Sequence, residues 1–137
     1  MRIMAIDLGD VRTGLAVSDP TGTLVGEAWT VTERNREGLI ATIIQTATER
    51  GVTALVLGHP KNMDGTLGPR AEKTEAFKVE LEAKTTLPIT LWDERRTSAQ
   101  ADDILREVGK RGKRKKQLQD AVAASLILEG YLAFSKR

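Results

Sequence analysis

The run Thr53-Ala54-Leu55-Val56-Leu57 constrains the fold of this chain more than any other feature. It is a continuous uncharged stretch that follows a helical segment, as a strand buried on both faces would be. Such a strand belongs inside a sheet, with helices over its faces. The segment before it has the pattern of one of those helices. Asn35 is placed to cap it, Leu39, Ile40, Ile43, Ile44 and Ala47 recur on one face up to about Arg50, and Gly51 ends it. After the run, a long connection from Gly58 to Pro69 leads to a polar helix from about Arg70 to Lys84. Ile89 to Trp92 then reads as a second buried strand, and a strand–helix–strand unit of this kind makes a right-handed parallel crossover.

The opening third has a different rhythm. Arg2 to Asp7 is a strand, Gly9 and Gly14 flank a tight connection, and a second strand runs from Gly14 to Ser18. Asp19-Pro20-Thr21-Gly22 makes a turn, and a third strand follows near Val25 to Val31. Links this short imply an antiparallel meander. Towards the other end, Thr97 to Gln100 fits a capping box and opens a helix carrying Ala101, Ile104, Leu105 and Val108 on one face. A last helix is expected from Gln117 to Phe134, with the stripe Leu118, Ala121, Val122, Ser125, Leu128 and Leu132. The whole reads as one α/β domain over residues 1–137. Its expected core is a mixed five-stranded sheet, three antiparallel strands and then parallel ones, flanked by helices. Aromatic residues are only 4% of the chain, so that core rests on Ile, Leu, Val and Ala.

Acidic residues fall at the ends of these elements. Asp7 closes the first strand, where an acid after an apolar run is costly without a partner or a task. Its plain alternative is an Asx turn. Asp93 and Glu94 close the last strand, and alternation sends them to opposite faces, so one of the two points toward Asp7 if the ends of strands one and five are neighbours. Their plain alternative is a surface ion pair with Arg95 or Arg96. Asp120 lies among Ala121, Ala123 and Ala124 in what reads as the first turns of the final helix, where a carboxylate also suits the helix dipole. Cysteine is absent and His59 is the single histidine. A metal held here would therefore take carboxylate and water oxygens, which points to Mg²⁺ or Mn²⁺.

Charge narrows the partner. The net charge is +2, yet Lys110, Arg111, Lys113, Arg114, Lys115 and Lys116 crowd one short stretch. A concentrated basic run suits an anionic partner, and its plain alternative is a solvated loop. No apolar run is long enough for a bilayer, and Asp7 interrupts the first apolar stretch too early for a signal peptide. A cytoplasmic location and no membrane partner are expected.

Four motifs in order make the chain recognisable. They are Arg2-Ile3-Met4-Ala5-Ile6-Asp7-Leu8-Gly9 with Arg12-Thr13-Gly14-Leu15-Ala16-Val17-Ser18-Asp19-Pro20; Gly58-His59-Pro60-Lys61-Asn62-Met63-Asp64-Gly65 with Gly68-Pro69-Arg70-Ala71; Trp92-Asp93-Glu94-Arg95-Arg96-Thr97-Ser98; and Lys113 to Lys116 with Asp120-Ala121-Val122-Ala123-Ala124. Together they resemble the YqgF family, also called RuvX, of ribonuclease H-like nucleases. The resemblance implies a ribonuclease H-like fold and metal-dependent phosphodiester hydrolysis. It implies trimming of the 5′ end of precursor 16S ribosomal RNA or, in some members, cutting of Holliday junctions. Asp7, Asp120 and an acid of the Asp93–Glu94 pair match the presumed catalytic positions. Glu94 is preferred for its longer reach, so Asp7, Glu94 and Asp120 are the expected ligands of Mg²⁺ or Mn²⁺. Against the usual pattern, Asp10 stands in place of Thr, Arg96 in place of Leu, and His59 in place of an apolar residue. Asp10 would join the metal site or pair with Arg12, and His59 is expected to be a loop histidine with no catalytic role.

Arg12, Lys61, Asn62, Arg70, Arg95, Lys113, Arg114, Lys115 and Lys116 are the expected contacts to nucleic acid, through phosphates rather than bases for the cationic ones. For Asn62 the alternative is turn chemistry within Asn62-Met63-Asp64-Gly65. Structured RNA is the leading substrate and branched DNA the second, the latter needing a homodimer to cut two strands; otherwise a monomer suffices. Two further classes compete. Nucleotide-binding proteins of the actin–hexokinase type also open with Asp-x-Gly, but they hold the nucleotide between two such domains, more than 137 residues supply. A non-catalytic nucleic-acid-binding module would have no need of acids at all three positions.

Overall fold

The computed structural model describes residues 1–62, 64–94 and 112–135, with side chains of the last stretch described from 119 on. Five strands and three helices are present among them: β1 (Arg2–Asp7), β2 (Arg12–Ser18), β3 (Val25–Thr32), α1 (Arg36–Glu49), β4 (Val52–His59), α2 (Pro69–Glu82), β5 (Ile89–Asp93) and α3 (Gly112–Ser135). The helix expected from Thr97, Arg95, and the side chains of Lys113, Arg114, Lys115 and Lys116 lie outside the described residues.

Local chemistry marks the element ends. The Asn35 side chain caps α1 by accepting from the Gly38 amide at 3.0 Å. The chain leaves that helix through Gly51, whose φ of +66° only glycine adopts at no cost. Between β2 and β3, the Asp19 carboxylate accepts from the Thr23 amide and the Thr21 hydroxyl, each at 2.8 Å.

The sheet order is β3-β2-β1-β4-β5. β1–β2 and β2–β3 are antiparallel, while β1–β4 and β4–β5 are parallel. This is the mixed sheet expected from three short-linked strands followed by helical crossovers. The condition that the ends of the first and last strands be neighbours is not met by the strands themselves, because β4 lies between β1 and β5. The continuous apolar run lies between β1 and β5, paired on both edges and covered on both faces.

Strand alternation divides the core into two. Met4, Ile6, Leu15, Val17, Leu55 and Leu57 point to the face covered by α1 and α2, where they meet Leu39, Ile43, Phe77 and Leu81. Ile3, Ala5, Ala16, Val56 and Trp92 point to the other face, against Ala124, Ile127, Leu128 and Leu132 of α3. Fully buried side chains such as Phe77, Met4 and Leu57 each contribute roughly 1.5–3 kcal/mol. α2 reads as polar, yet Ala71, Thr74, Phe77 and Leu81 form its buried stripe at three- and four-residue spacing.

α3 departs from expectation in two ways. It begins at Gly112, so the stretch 113–116 is helical and Asp120 sits in its third turn. The helix dipole therefore does not account for Asp120. Its buried residues are Ala124, Ile127, Leu128 and Leu132, with Ala121, Val122 and Ser125 only half-buried. The helix is rotated toward its small residues because Gly14 of β2 admits its backbone. A Cβ at Gly14 would stand 2.0 Å from the Asp120 carbonyl oxygen and 3.3 Å from the Ala124 methyl. None of the described helices is long and apolar enough to cross a membrane.

Candidate active site

Alternation on the strands determines which side chains share a face. Asp7 follows Ile3 and Ala5 onto the α3 side of β1. Gly14 pairs with Asp7 across β2 and lies on the same side as Ala16. On β4, Gly58 follows Val56; Glu94, one residue past the end of β5, lies over Gly58 on the side of Trp92. Across the sheet, the α3 face therefore reads Gly14, Asp7, Gly58, Glu94 at one end. Asp120 descends onto that end from α3, since its carbonyl abuts Gly14. Asp93 falls on the opposite face, opposite His59 in register.

The two glycines make the arrangement workable. With β4 between them, β1 and β5 are about 10 Å apart. Glu94 spans that gap by lying over Gly58: a Cβ there would be 3.2 Å from the Glu94 carboxyl carbon and 2.5 Å from Ile127 Cδ1. Neither neighbour of Asp7 in the sheet thus carries a side chain on this face. Sequence reasoning did not single out Gly14 or Gly58 as parts of the site. The signal was available, because a glycine within a strand often marks close approach of backbone or ligand.

Charge confirms that the acids sense one another. The Asp7 carboxyl is pushed up to about 7, first by burial and next by the charge of Glu94; Arg70 opposes the rise and Asp120 adds to it. Burial also raises the Glu94 carboxyl, with Arg70 and His59 opposing and Asp93 adding. Arg70, an exposed residue in the first turn of α2, is thus the cation that acts on both half-buried acids. Asp120 has a nearer cation, for Arg12 Nε lies 3.2 Å from its Oδ2. Among the described residues, no three acidic or histidine side chains are gathered so as to hold a metal ion. Proximity of charge is present, then, and a closed ligand cage is not.

The other expected residues fall nearby or elsewhere. Asp10 is exposed and pairs with Lys73 at 3.4 Å, leaving Arg12 to Asp120. His59 ends β4 rather than occupying a loop, and it is buried with Nε2 3.4 Å from Glu75 of α2. Lys61 follows it, its amide donating to the His59 carbonyl at 3.0 Å. Asn62 displays turn chemistry: its side chain donates to Thr66 Oγ1 at 3.0 Å, and its carbonyl accepts from Gly65, whose φ is +88°. The Asn62 side chain is nonetheless exposed beside Gly68, the N-cap of α2.

Comparison with known proteins follows the same lines. The family model described as RuvX, Holliday junction resolvase, matches residues 1–134. A protein of Lachnospira eligens named pre-16S rRNA nuclease is 44% identical over 135 residues, covering 96% of each chain. One of Moorella thermoacetica with the same name is 41% identical over 132 residues, covering 96% of this chain and 94% of its own. Among solved structures, T. thermophilus RuvC with a Holliday junction substrate superposes with a TM-score of 0.64 at 14% identity, covering 98% of this chain and 96% of that one. The fowlpox virus resolvase bound to Holliday junction DNA gives 0.61 at 14% identity, covering both chains fully at 100%. Likeness at that identity establishes the fold, which is the ribonuclease H-like one.

Proposed function

The chain belongs to the RuvX family of Holliday junction resolvases, and from that premise we propose that it is a metal-dependent nuclease that hydrolyses phosphodiester bonds at the 5′ end of precursor 16S rRNA. One observation carries the reading. Asp7, Glu94 and Asp120, from three separate elements, sit within electrostatic reach at one end of the sheet, and the Asp7 carboxyl is driven up to about 7. A fold rarely tolerates such crowding without a task for it.

The donor set suits Mg²⁺ or Mn²⁺, being carboxylate oxygens with no thiol and with the histidine on the other face. Asp7, Glu94 and Asp120 would hold the ion, while Asp93 faces away. Bound there, a divalent ion lowers the pKa of water and offsets charge on the leaving oxygen. The chain's own residues do the rest. Asp7 would hold such an ion through its ionised carboxylate. Gly14 admits the Asp120 backbone, and Gly58 the Glu94 side chain, beside Asp7. Arg70, exposed and acting by its charge on Asp7 and Glu94, would hold a backbone phosphate, as would Lys61.

The choice of RNA rests on relatives about 40% identical that bear the pre-16S rRNA nuclease name. The family description favours a second reading, cleavage of branched DNA. The deciding test offers the protein a precursor 16S 5′ end and a four-way DNA junction under Mn²⁺. Faster cleavage of the RNA is expected, and cleavage of the junction alone would overturn the assignment. Cleavage of neither would overturn the nuclease reading.

Gly58→Ala tests the geometry. The new methyl meets the ends of two flexible side chains, Ile127 and Glu94. The fold is expected to adjust with a loss of about 1–2 kcal/mol, while Glu94 is pushed off β4 and cleavage falls by about tenfold or more. An unchanged rate would show that Glu94 does not act from above Gly58.

A further inference from the structure

Asp120 belongs with Asp7 and Glu94 by position, yet its carboxylate is engaged by Arg12. The pair is placed by backbone rather than by chance rotamers. Arg12 opens β2, two residues before Gly14 and on the same face. Gly14 is where the Asp120 backbone touches the sheet. The contact therefore joins β2 to α3 beside the close approach at Gly14. Both partners are partly shielded, with side-chain exposures of 34% and 27%. Asp120 also lies near enough to Asp7 for its charge to be felt there. It thus stands between a guanidinium on one side and the half-buried acids on the other, and no three-acid cage is closed among the described residues.

We propose that Arg12 is a gate on the cation site: its guanidinium holds the Asp120 carboxylate in the ion-free protein and must yield it for a divalent ion to bind. This rests on the cation reading given above. Arg12 is then a positioning residue with a cost attached. It offsets the repulsion among the three acids, and it sets the ion concentration at which the site fills. A divalent ion held there would take the place of Arg12 as the cation that offsets the Asp120 charge.

A double-mutant cycle on Mn²⁺ affinity, measured by calorimetry on the whole chain, tests this. Arg12→Gln keeps a polar side chain on a partly exposed strand residue and is expected to bind Mn²⁺ roughly fivefold more tightly, the scale of a surface-edge ion pair. Asp120→Asn is expected to bind it more weakly. The cycle then separates direct competition from bulk field. In the Asp120→Asn background, Arg12→Gln should bring no gain, because the group Arg12 holds has gone. An equal gain in both backgrounds would overturn the gate, as would unchanged or weakened Mn²⁺ binding in Arg12→Gln. Failure of the wild-type chain to bind Mn²⁺ would overturn the cation site itself, and with it the gate.

Discussion

Asp7→Asn is expected to abolish cleavage and, at the same time, to make the ion-free protein more stable. The first effect follows if, as proposed, Asp7 is one of three charged ligands, and a fall of at least 10²–10³-fold is the scale for removing a single charge-stabilising group. The second follows from the raised carboxyl. An ordinary aspartate titrates near 3.8, whereas Asp7 in the fold titrates at about 7. Between those pH values the folded chain keeps a proton that the unfolded chain has lost. Stability therefore declines as pH rises through that window, and the decline is complete above about 7. Asparagine has no proton to lose there. At pH 8 the variant should exceed the wild type by on the order of 2–4 kcal/mol, or about 10 °C in Tm for a domain of this size. The gain should vanish below pH 4, where both side chains are neutral. Thermal melts from pH 4 to pH 8 in chelator, with cleavage assays alongside, provide the check. A variant less stable than wild type at pH 8, or one that still cleaves, would remove Asp7 from the centre of the site.

Gly14→Ala is expected to do the opposite, costing stability and function together. Its Cβ would lie 2.0 Å from the Asp120 carbonyl oxygen and 2.6 Å from the carbonyl carbon. These are helix backbone atoms, so no rotamer change relieves the overlap. α3 has to lift from β2, loosening the layer formed by Ala16, Ala124, Ile127 and Leu128. A loss of about 3 kcal/mol or more is expected, lowering Tm by ~10 °C or more. Asp120 moves with the helix, so cleavage should fall even at temperatures where the variant stays folded. A melting temperature within two or three degrees of wild type would mean that α3 does not sit on Gly14 as described.

The contrast between these two substitutions shows what kind of site this is. Asp7 is a locally unfavourable group kept in place by its surroundings, as expected of a residue retained for chemistry. Gly14 is the opposite, a residue whose absent side chain lets the surroundings come together. A periodicity reading sees the first because an acid at the end of Ile3-Met4-Ala5-Ile6 breaks an apolar run. It passes over the second because a glycine contributes nothing to a hydrophobic pattern.

Particular elements show where the reading of the chain was sufficient. β1, the Asn35 cap and the inner place of the Thr53–Leu57 run follow from local pattern and turn chemistry, and they stand as expected. The final helix does not. Leu126, Ile127 and Leu128 are contiguous and apolar, so several rotations bury a similar stripe. The rotation adopted presents Asp120, Ala124 and Ile127 to the sheet because Gly14 and Gly58 leave room there. Strand order was open for a related reason, since it depends on which buried strand the β1 edge accepts, and that strand is β4.

From residues alone come the three antiparallel strands, the apolar strand between two helices, the acids at element ends, and a donor inventory that admits only oxygen ligands. These follow from intervals of a few residues, where backbone geometry and side-chain chemistry act locally. Tertiary structure alone decided that Glu94 shares a face with Asp7 while Asp93 does not, that glycines on both neighbouring strands open the space between them, and that Arg12 rather than Asp10 is joined to the Asp120 corner. Alternation gives each strand two faces but leaves open which one meets a given helix. That choice is made by packing between segments distant in sequence, where the absence of a side chain counts as much as its presence.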